Sequence, residues 1–482
     1  MSLDPLDWGD YRALLHRAVD AVVDDLAAAG DGPAWRPVPE TVKAELREAP
    51  PPGGEPLAAT FARFDRLIRP YPTGNRHPRF FGWVHGAGNA AGVVAELLAA
   101  GMNANVGGRE HAAVYVERAV VAWFRDLFGF PAGAGGIVTT GTSMGNLLGV
   151  IAARDAALGE RARAHGVAGA RLTAYASDTV HDSVAKALRV AGLGEAALRR
   201  IATDASGSAG VADMRARIAA DRRDGAQPFL IVATAGSVDT GAFDPLHALA
   251  DLARSERLWL HVDGAFGALA VLSARHAGLV DGIARADSLA FDAHKWLQVP
   301  YAAGCVLFRD ERAHRAAFAS SPDYLARAER GTAAGAPWFA DYGLELSRDF
   351  RALKIWFTLK HYGIERLGAS IAHTCELAAL LGERIGQSDD LELLAPVMLN
   401  VVCFRWNPPG RALDDAALDA LNEAIAVAVQ ESGAAVPSTT RIAGKRALRV
   451  CIVNHRTCED DLDVLLDAVR TAARTLAKAA PR

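Results

Sequence analysis

Cysteine is scarce in this chain of 482 residues: Cys305, Cys375, Cys403, Cys451 and Cys458 are dispersed, odd in number and without a CxxC pair. Such spacing indicates neither a disulfide framework nor a zinc site, and it suits a reducing cytoplasm. Long apolar runs are missing too, since none approaches the roughly 18 residues of a membrane-spanning helix. The opening MSLDPLDWGDYR carries acidic residues where a leader would carry an apolar core, so cytoplasmic location is the expectation. Neither sign of charge is in excess: 52 Lys and Arg stand against 56 Asp and Glu, interspersed, for a net charge of −4. That leaves no electrostatic footprint for nucleic acid or an anionic membrane, and small-molecule chemistry remains.

What the chain has in plenty is apolar residues, 51% of the total, enough for a large core and two or three domains. Residues 10–29 place Leu14, Leu15, Ala18, Val19, Val22, Val23 and Leu26 at helical spacing, and Pro56 to Ile68 reads as a second amphipathic helix. Two such helices cannot bury their apolar faces alone, so residues 1–88 are expected to pack on another body rather than stand as a domain. HPRFFGWVHG, residues 77–86, is rich in aromatics and histidine and reads either as a core-entry loop or as a pocket wall. Helices are expected over Ala90 to Ala104 and Tyr115 to Phe128.

From Ile137 the pattern changes to short apolar runs alternating with helices: Ile137–Thr139, Leu172–Ala176, Phe229–Ala233, Trp259–Val262, Ser288–Phe291 and Gly304–Phe308. Runs of that kind imply a mostly parallel sheet covered on both faces. The large domain is expected over 89–364. Residues 365–482, with strand-like Met398–Trp406 and Ala447–Val453 between helices, read as a small α/β domain.

Four segments carry chemistry. In SLAFDAHKW, residues 288–296, Lys295 ends an apolar run, where burial would lower its pKa and free its amine to form a Schiff base with an aldehyde. TTGTSMGNLLGVIAAR, residues 139–154, leads from a strand through Gly141, Thr142 and Ser143 into a helix whose first amides favour a phosphate, although Ser or Thr there can be only an N-cap. It has neither the GxGxxG of a dinucleotide site nor the GK[ST] of a P-loop. His181, just past the strand 172–176, could stack on an aromatic cofactor or simply cap the next helix. Asp263, directly after 259–262, stands where ligands bind in doubly wound folds, or serves as a turn aspartate.

Together with SPDYL, the SRDFRALKIWFTLKHYG run and LRVCIVNHRT, the motifs HVDGAF and DAHKW resemble the group II amino-acid decarboxylases that use pyridoxal 5′-phosphate. The likeness is greatest to the aromatic and histidine members. It implies the aspartate-aminotransferase-like fold type I, with a seven-stranded, mostly parallel sheet, and a homodimer whose active sites lie at the subunit interface. It implies that Lys295 bonds the cofactor, Asp263 pairs with its ring nitrogen and His181 stacks on the ring opposite Ala265. Thr142, Ser143 and His294 would surround the phosphate, with Thr234 and Ser347 as further cofactor contacts. Tyr324 of SPDYL, in a loop of lid-like composition, would return the proton to the carbanion. Trp83, His85 and Asn105 fall on the substrate side, and no metal is implied. Asp292 departs from the pattern, because the aromatic members have a phosphate-contacting asparagine there and a second anion is unfavourable beside a phosphate.

The reaction implied is decarboxylation of an L-amino acid, possibly aromatic, to amine and carbon dioxide. Aldehyde synthesis or transamination on the same fold is the alternative, the first opposed by Tyr324. The second would need a carboxylate-binding arginine such as Arg441 or Arg449. A cofactor-binding protein without turnover is the more remote alternative.

Overall fold

The computed structural model describes residues 2–319, 327–410 and 413–479. They fall into two compact units, one of Val84–Glu383 with Ala395–Cys403, the other of the chain up to Trp83, Arg384–Leu394 and the chain from Phe404 on.

The larger unit is built on seven strands: β1 Gly135–Thr139, β2 Leu172–Ser177, β3 Leu198–Ile201, β4 Gln227–Thr234, β5 Trp259–Asp263, β6 Ser288–Asp292 and β7 Gly304–Phe308. Their order is β1-β7-β6-β5-β4-β2-β3. Only β7 runs against its neighbours; β6, β5, β4, β2 and β3 pair in parallel. The inner strands are buried and mostly apolar because helices cover both faces. The strand that the apolar pattern does not announce is β3, LRRI at a sheet edge, where two arginines can reach water.

Parallel pairing aligns the carboxyl ends of these strands along one edge. Thr234 stands opposite Asp263 in the register, Asp263 opposite Ala290, and both Thr139 and Asp292 opposite Gly304. The helix Thr142–Leu158 leaves that edge and lies unusually close to the sheet. A Cβ on Gly145 would come within 2.7 Å of the Ala290 Cβ, and one on Gly149 within 2.6 Å of His261 Nδ1. Glycine inside a helix costs about 1 kcal/mol relative to alanine, and here it brings the helix backbone down onto β5 and β6.

The helical run Ala352–Gly386 is interrupted at Gly363, whose φ is 70°. The small sheet has the order β10-β11-β9-β8, formed by β8 Leu391–Leu393, β9 Val401–Trp406, β10 Ser438–Ile442 and β11 Lys445–Cys451. In it β8 pairs antiparallel with β9, and β10 with β11. Among the described residues no helix is long and apolar enough to cross a membrane.

A fully buried ion pair fixes the entry to β1. Arg348 donates to Glu117 through two nitrogens, at 3.1 and 2.6 Å, and the same carboxylate accepts from the Val138 N–H at 3.0 Å. Removing one partner would strand the other charge in the core. Glu117→Ala is expected to lower unfolding stability by about 3–5 kcal/mol, read as a shift in the urea midpoint, and a shift within the scatter of wild type would show that Arg348 finds another partner.

Candidate active site

Lys295 lies three residues past the end of β6, in a turn tied down on every side. His294 N–H donates to the Ala303 carbonyl, Val299 N–H to Ala293 and Gln298 N–H to Lys295. Trp296 is buried and its indole N–H donates to Thr374 at 3.2 Å. Apolar HKW chemistry therefore places the tryptophan as an anchor in the core while the adjacent lysine stays partly open. The Lys295 Nζ sits 2.9 Å from Asp292 Oδ2. The other oxygen of Asp292 accepts the Thr142 N–H at 2.7 Å.

That last bond changes the picture of the helix start. No side chain of the segment itself caps the helix, whose N-cap residue is Gly141. Asp292 from β6 caps it instead, supplying a negative group to the positive end of the dipole. Its departure from asparagine thus has a partner set in this chain: one ammonium and one helix amide.

Asp263 is buried at the end of β5. One oxygen accepts from Asn146 Nδ2 at 2.8 Å and the other from the Ala265 N–H at 3.2 Å. Asn146 also donates to Ser183 at 2.9 Å, and Ser183 lies 2.8 Å from His181 Nδ1. His181 does cap its helix, since Nδ1 accepts the Ser183 N–H. The cap leaves the ring itself exposed. Thr234 is held by Asp244, which accepts its N–H at 2.7 Å. The hydroxyls of Thr142 and Thr234 are both buried without a hydrogen-bond partner among the described residues.

Rings gather beside the lysine. His294 and Tyr301 have centroids 4.3 Å apart, and His85 meets Tyr301 edge-on at 5.9 Å. Burial, with Lys295 and His294 nearby, depresses the His85 pKa below the usual imidazole value, and burial also lowers that of His294 against the pull of Asp292. The Tyr301 hydroxyl is pushed up to about 12, first by burial and then by Asp292.

Other expected residues have partners of their own. Asn105 and Ser347 line one cleft of about 610 Å³ with Asn103, and Asn105 Oδ1 accepts the Arg348 N–H at 3.0 Å. Trp83 belongs to the smaller unit, half exposed, with its carbonyl accepting from Arg449. Arg441 is paired with Asp419 at 2.8 Å. Tyr324 lies outside the described residues.

Residues 39–407 match the sequence model described as the pyridoxal-dependent decarboxylase conserved domain. The chain belongs to the pyridoxal-dependent decarboxylase family. This decarboxylase is 33% identical to an aromatic-L-amino-acid decarboxylase of Bacillus atrophaeus, over 98% of this chain and 97% of that one. It is 30% identical to an L-2,4-diaminobutyrate decarboxylase of Rhizobium meliloti (strain 1021), over 97% and 92%. Its structure matches that of Oryza sativa TDC with PLP and tryptamine with a TM-score of 0.90 at 28% identity, covering 98% and 100%. The protein is therefore an amino-acid decarboxylase of fold type I, a carboxy-lyase dependent on pyridoxal 5′-phosphate.

Reading the sequence of the decarboxylase had passed over Asn146, Ser183, His261, Ser288 and Tyr301. A signal was there: a histidine inside the apolar run WLHVD, and an asparagine in a helix with glycines one residue before and three after. Gly86 is a further case, because a Cβ there would lie 2.1 Å from the His294 carbonyl oxygen and 2.6 Å from that of Lys295. Gly86→Ala must push the lysine turn aside. It is expected to lose about 1–3 kcal/mol of stability in urea denaturation, and an unchanged midpoint would contradict this close approach.

Proposed function

We propose that this chain releases carbon dioxide from an L-amino acid with an aromatic side chain and leaves the corresponding amine. The observation that carries the aromatic choice is the ring cluster of His85, Tyr301 and His294 beside Lys295. Depressed imidazole pKa values keep that wall neutral. A flat side chain suits such a surface. The second ammonium of a diamino acid would need a carboxylate, and Asp292 is already committed to Lys295 and to Thr142.

Bound pyridoxal phosphate supplies an aldehyde that an amine can attack and a ring that draws in the electron pair left by departing carbon dioxide. The residues present fit such a group. Lys295 offers the amine, Asp263 a carboxylate able to hold a proton on the ring nitrogen, and His181 an exposed ring to stack. Thr142 and Thr234 offer buried hydroxyls with no partner among the described residues, which is costly unless a ligand meets them. Ser143 and His294 add a hydroxyl and an imidazole near the phosphate end, Ala265 the opposite ring face and Ser347 a further contact. Trp83, His85 and Asn105 belong to the substrate side on this reading. Tyr324 delivers a proton to the substrate α-carbon.

The active unit in this proposal is a homodimer in the cytoplasm, with residues 1–88 against the partner. Exposed Val94, Leu97, Leu98 and Met102 on one helix support a covered face. Sedimentation of the holoenzyme at a single-chain mass would remove that part.

Carbon dioxide and amine release across tryptophan, tyrosine, phenylalanine, histidine, glutamate and 2,4-diaminobutyrate tests the substrate class. The aromatic acids are expected to lead in kcat/KM by roughly tenfold or more, and preference for diaminobutyrate would overturn the aromatic reading. Lys295→Ala is expected to leave no cofactor covalently retained after borohydride reduction, checked by mass spectrometry. Persistence of the adduct would move the attachment elsewhere.

Tyr324→Phe removes only a hydroxyl. If Tyr324 returns the proton, the variant still releases carbon dioxide, but dioxygen diverts product from amine to aldehyde, ammonia and peroxide. Measuring amine and peroxide together decides this, and an unchanged amine yield and rate would exclude Tyr324 as the donor.

A further inference from the structure

Behind Asp263 and His181 runs a chain of hydrogen bonds with a single polarity. It starts at Trp259, whose indole nitrogen can only donate and gives its proton to Ser288 Oγ at 2.8 Å. Ser288 then turns its own proton to His261 Nδ1, also 2.8 Å away. Nδ1 is thereby the acceptor of the ring, and Nε2 carries the proton to Asn146 Oδ1 at 2.8 Å. With Oδ1 engaged, both protons of the Asn146 amide face the other way, one to Asp263 Oδ2 and one to Ser183. Ser183 in turn has its proton free for His181 Nδ1.

The orientation is fixed from the carboxylate end. An ionised carboxylate accepts only, so Asp263 takes the amide nitrogen of Asn146, Oδ1 then accepts from His261 Nε2–H, and Nδ1 accepts from Ser288, whose oxygen takes the Trp259 N–H. Asn146, His261 and Ser288 have no measurable exposure, so water cannot replace any missing partner. Burial lowers the His261 pKa to about 3 and keeps its ring singly protonated. Gly149 leaves the room for that ring against the helix.

We propose that Asn146 is a positioning residue of the decarboxylation: oriented by His261, its one amide holds the Asp263 carboxylate in place and, through Ser183, ties it to the His181 ring. The inference rests on the reading that Asp263 meets the ring nitrogen of the cofactor and His181 its face. Asn146 is then what makes two cofactor-facing groups act together. Neither needs to touch the other.

The test compares variants by the dissociation constant for pyridoxal phosphate, measured by equilibrium dialysis, together with kcat and KM for the best amino acid. Asn146→Asp keeps the shape and removes both donors. It is expected to weaken cofactor binding and lower kcat on the order of 10–100-fold, as loss of an orienting partner does at other sites, while KM for the amino acid stays within about threefold. His261→Gln can present an N–H where Nε2 stood and is expected near wild type, whereas His261→Phe keeps the ring without the donor and is expected to follow Asn146→Asp. A role in packing alone predicts the reverse, with Phe tolerated and Gln harmful, and that order would overturn the proposal. Ser288→Ala leaves the ring in place and should weaken cofactor binding severalfold; wild-type binding in that variant and in Asn146→Asp would also overturn it. Asp263→Ala separates the two levels. If it is impaired and Asn146→Asp is not, the positioning role fails alone; if Asp263→Ala binds and turns over as wild type, the reading of Asp263 fails and the inference with it.

Discussion

A carboxylate buried at the end of a strand is costly unless donors surround it. Asp263 is kept there by one side-chain amide, from Asn146, and one backbone amide, from Ala265. The rest of the larger unit can be understood as what it takes to bring that side-chain amide within 2.8 Å of β5. A helix has to leave the same sheet edge, lie close to the sheet, and present an asparagine at its fifth residue. Gly145 and Gly149 remove the Cβ atoms that would hold it away. The helix then needs its own amino terminus satisfied, and Asp292, from the next strand of the edge, does so.

The consequence is a division of labour between two aspartates that end neighbouring strands. Asp263 is held by neutral donors, so among the described residues no cation pairs with it, and its charge is available to a cationic group of a ligand. Asp292 is matched by Lys295 at 2.9 Å and by a helix terminus, so its charge is spoken for. Identical side chains thus take different tasks because one strand end faces an amide and the other an ammonium.

The sheet was legible because its inner strands are continuous apolar runs, and six of the seven could be marked from residues alone. The edge strand β3 was not, because LRRI carries the signature of a surface. Lys295, Asp263 and Thr142 were legible as chemistry at the ends of such runs. Asp292 could be seen only as a departure from a resemblance, since its partners come from a helix 150 positions earlier in the chain and from a turn after it. His261, Ser288 and Asn146 sit in strands and a helix that look merely structural, and their meaning is a matter of three-dimensional adjacency. The exposed imidazole of His181 shows the limit from the other side: its N-cap bond is local and readable, while its link to Asp263 passes through residues 37 and 117 positions apart in sequence.

On the proposed reading the Asp263 charge, paired with no cation among the described residues, keeps a proton on the cofactor's ring nitrogen. Nitrogen-15 magnetic resonance of holoenzyme loaded with ring-labelled pyridoxal phosphate measures this directly. The account predicts a protonated ring nitrogen in the wild type across the pH range in which the enzyme is folded, and an unprotonated one in Asp263→Asn at neutral pH. An unprotonated ring nitrogen in the active wild-type enzyme would contradict it.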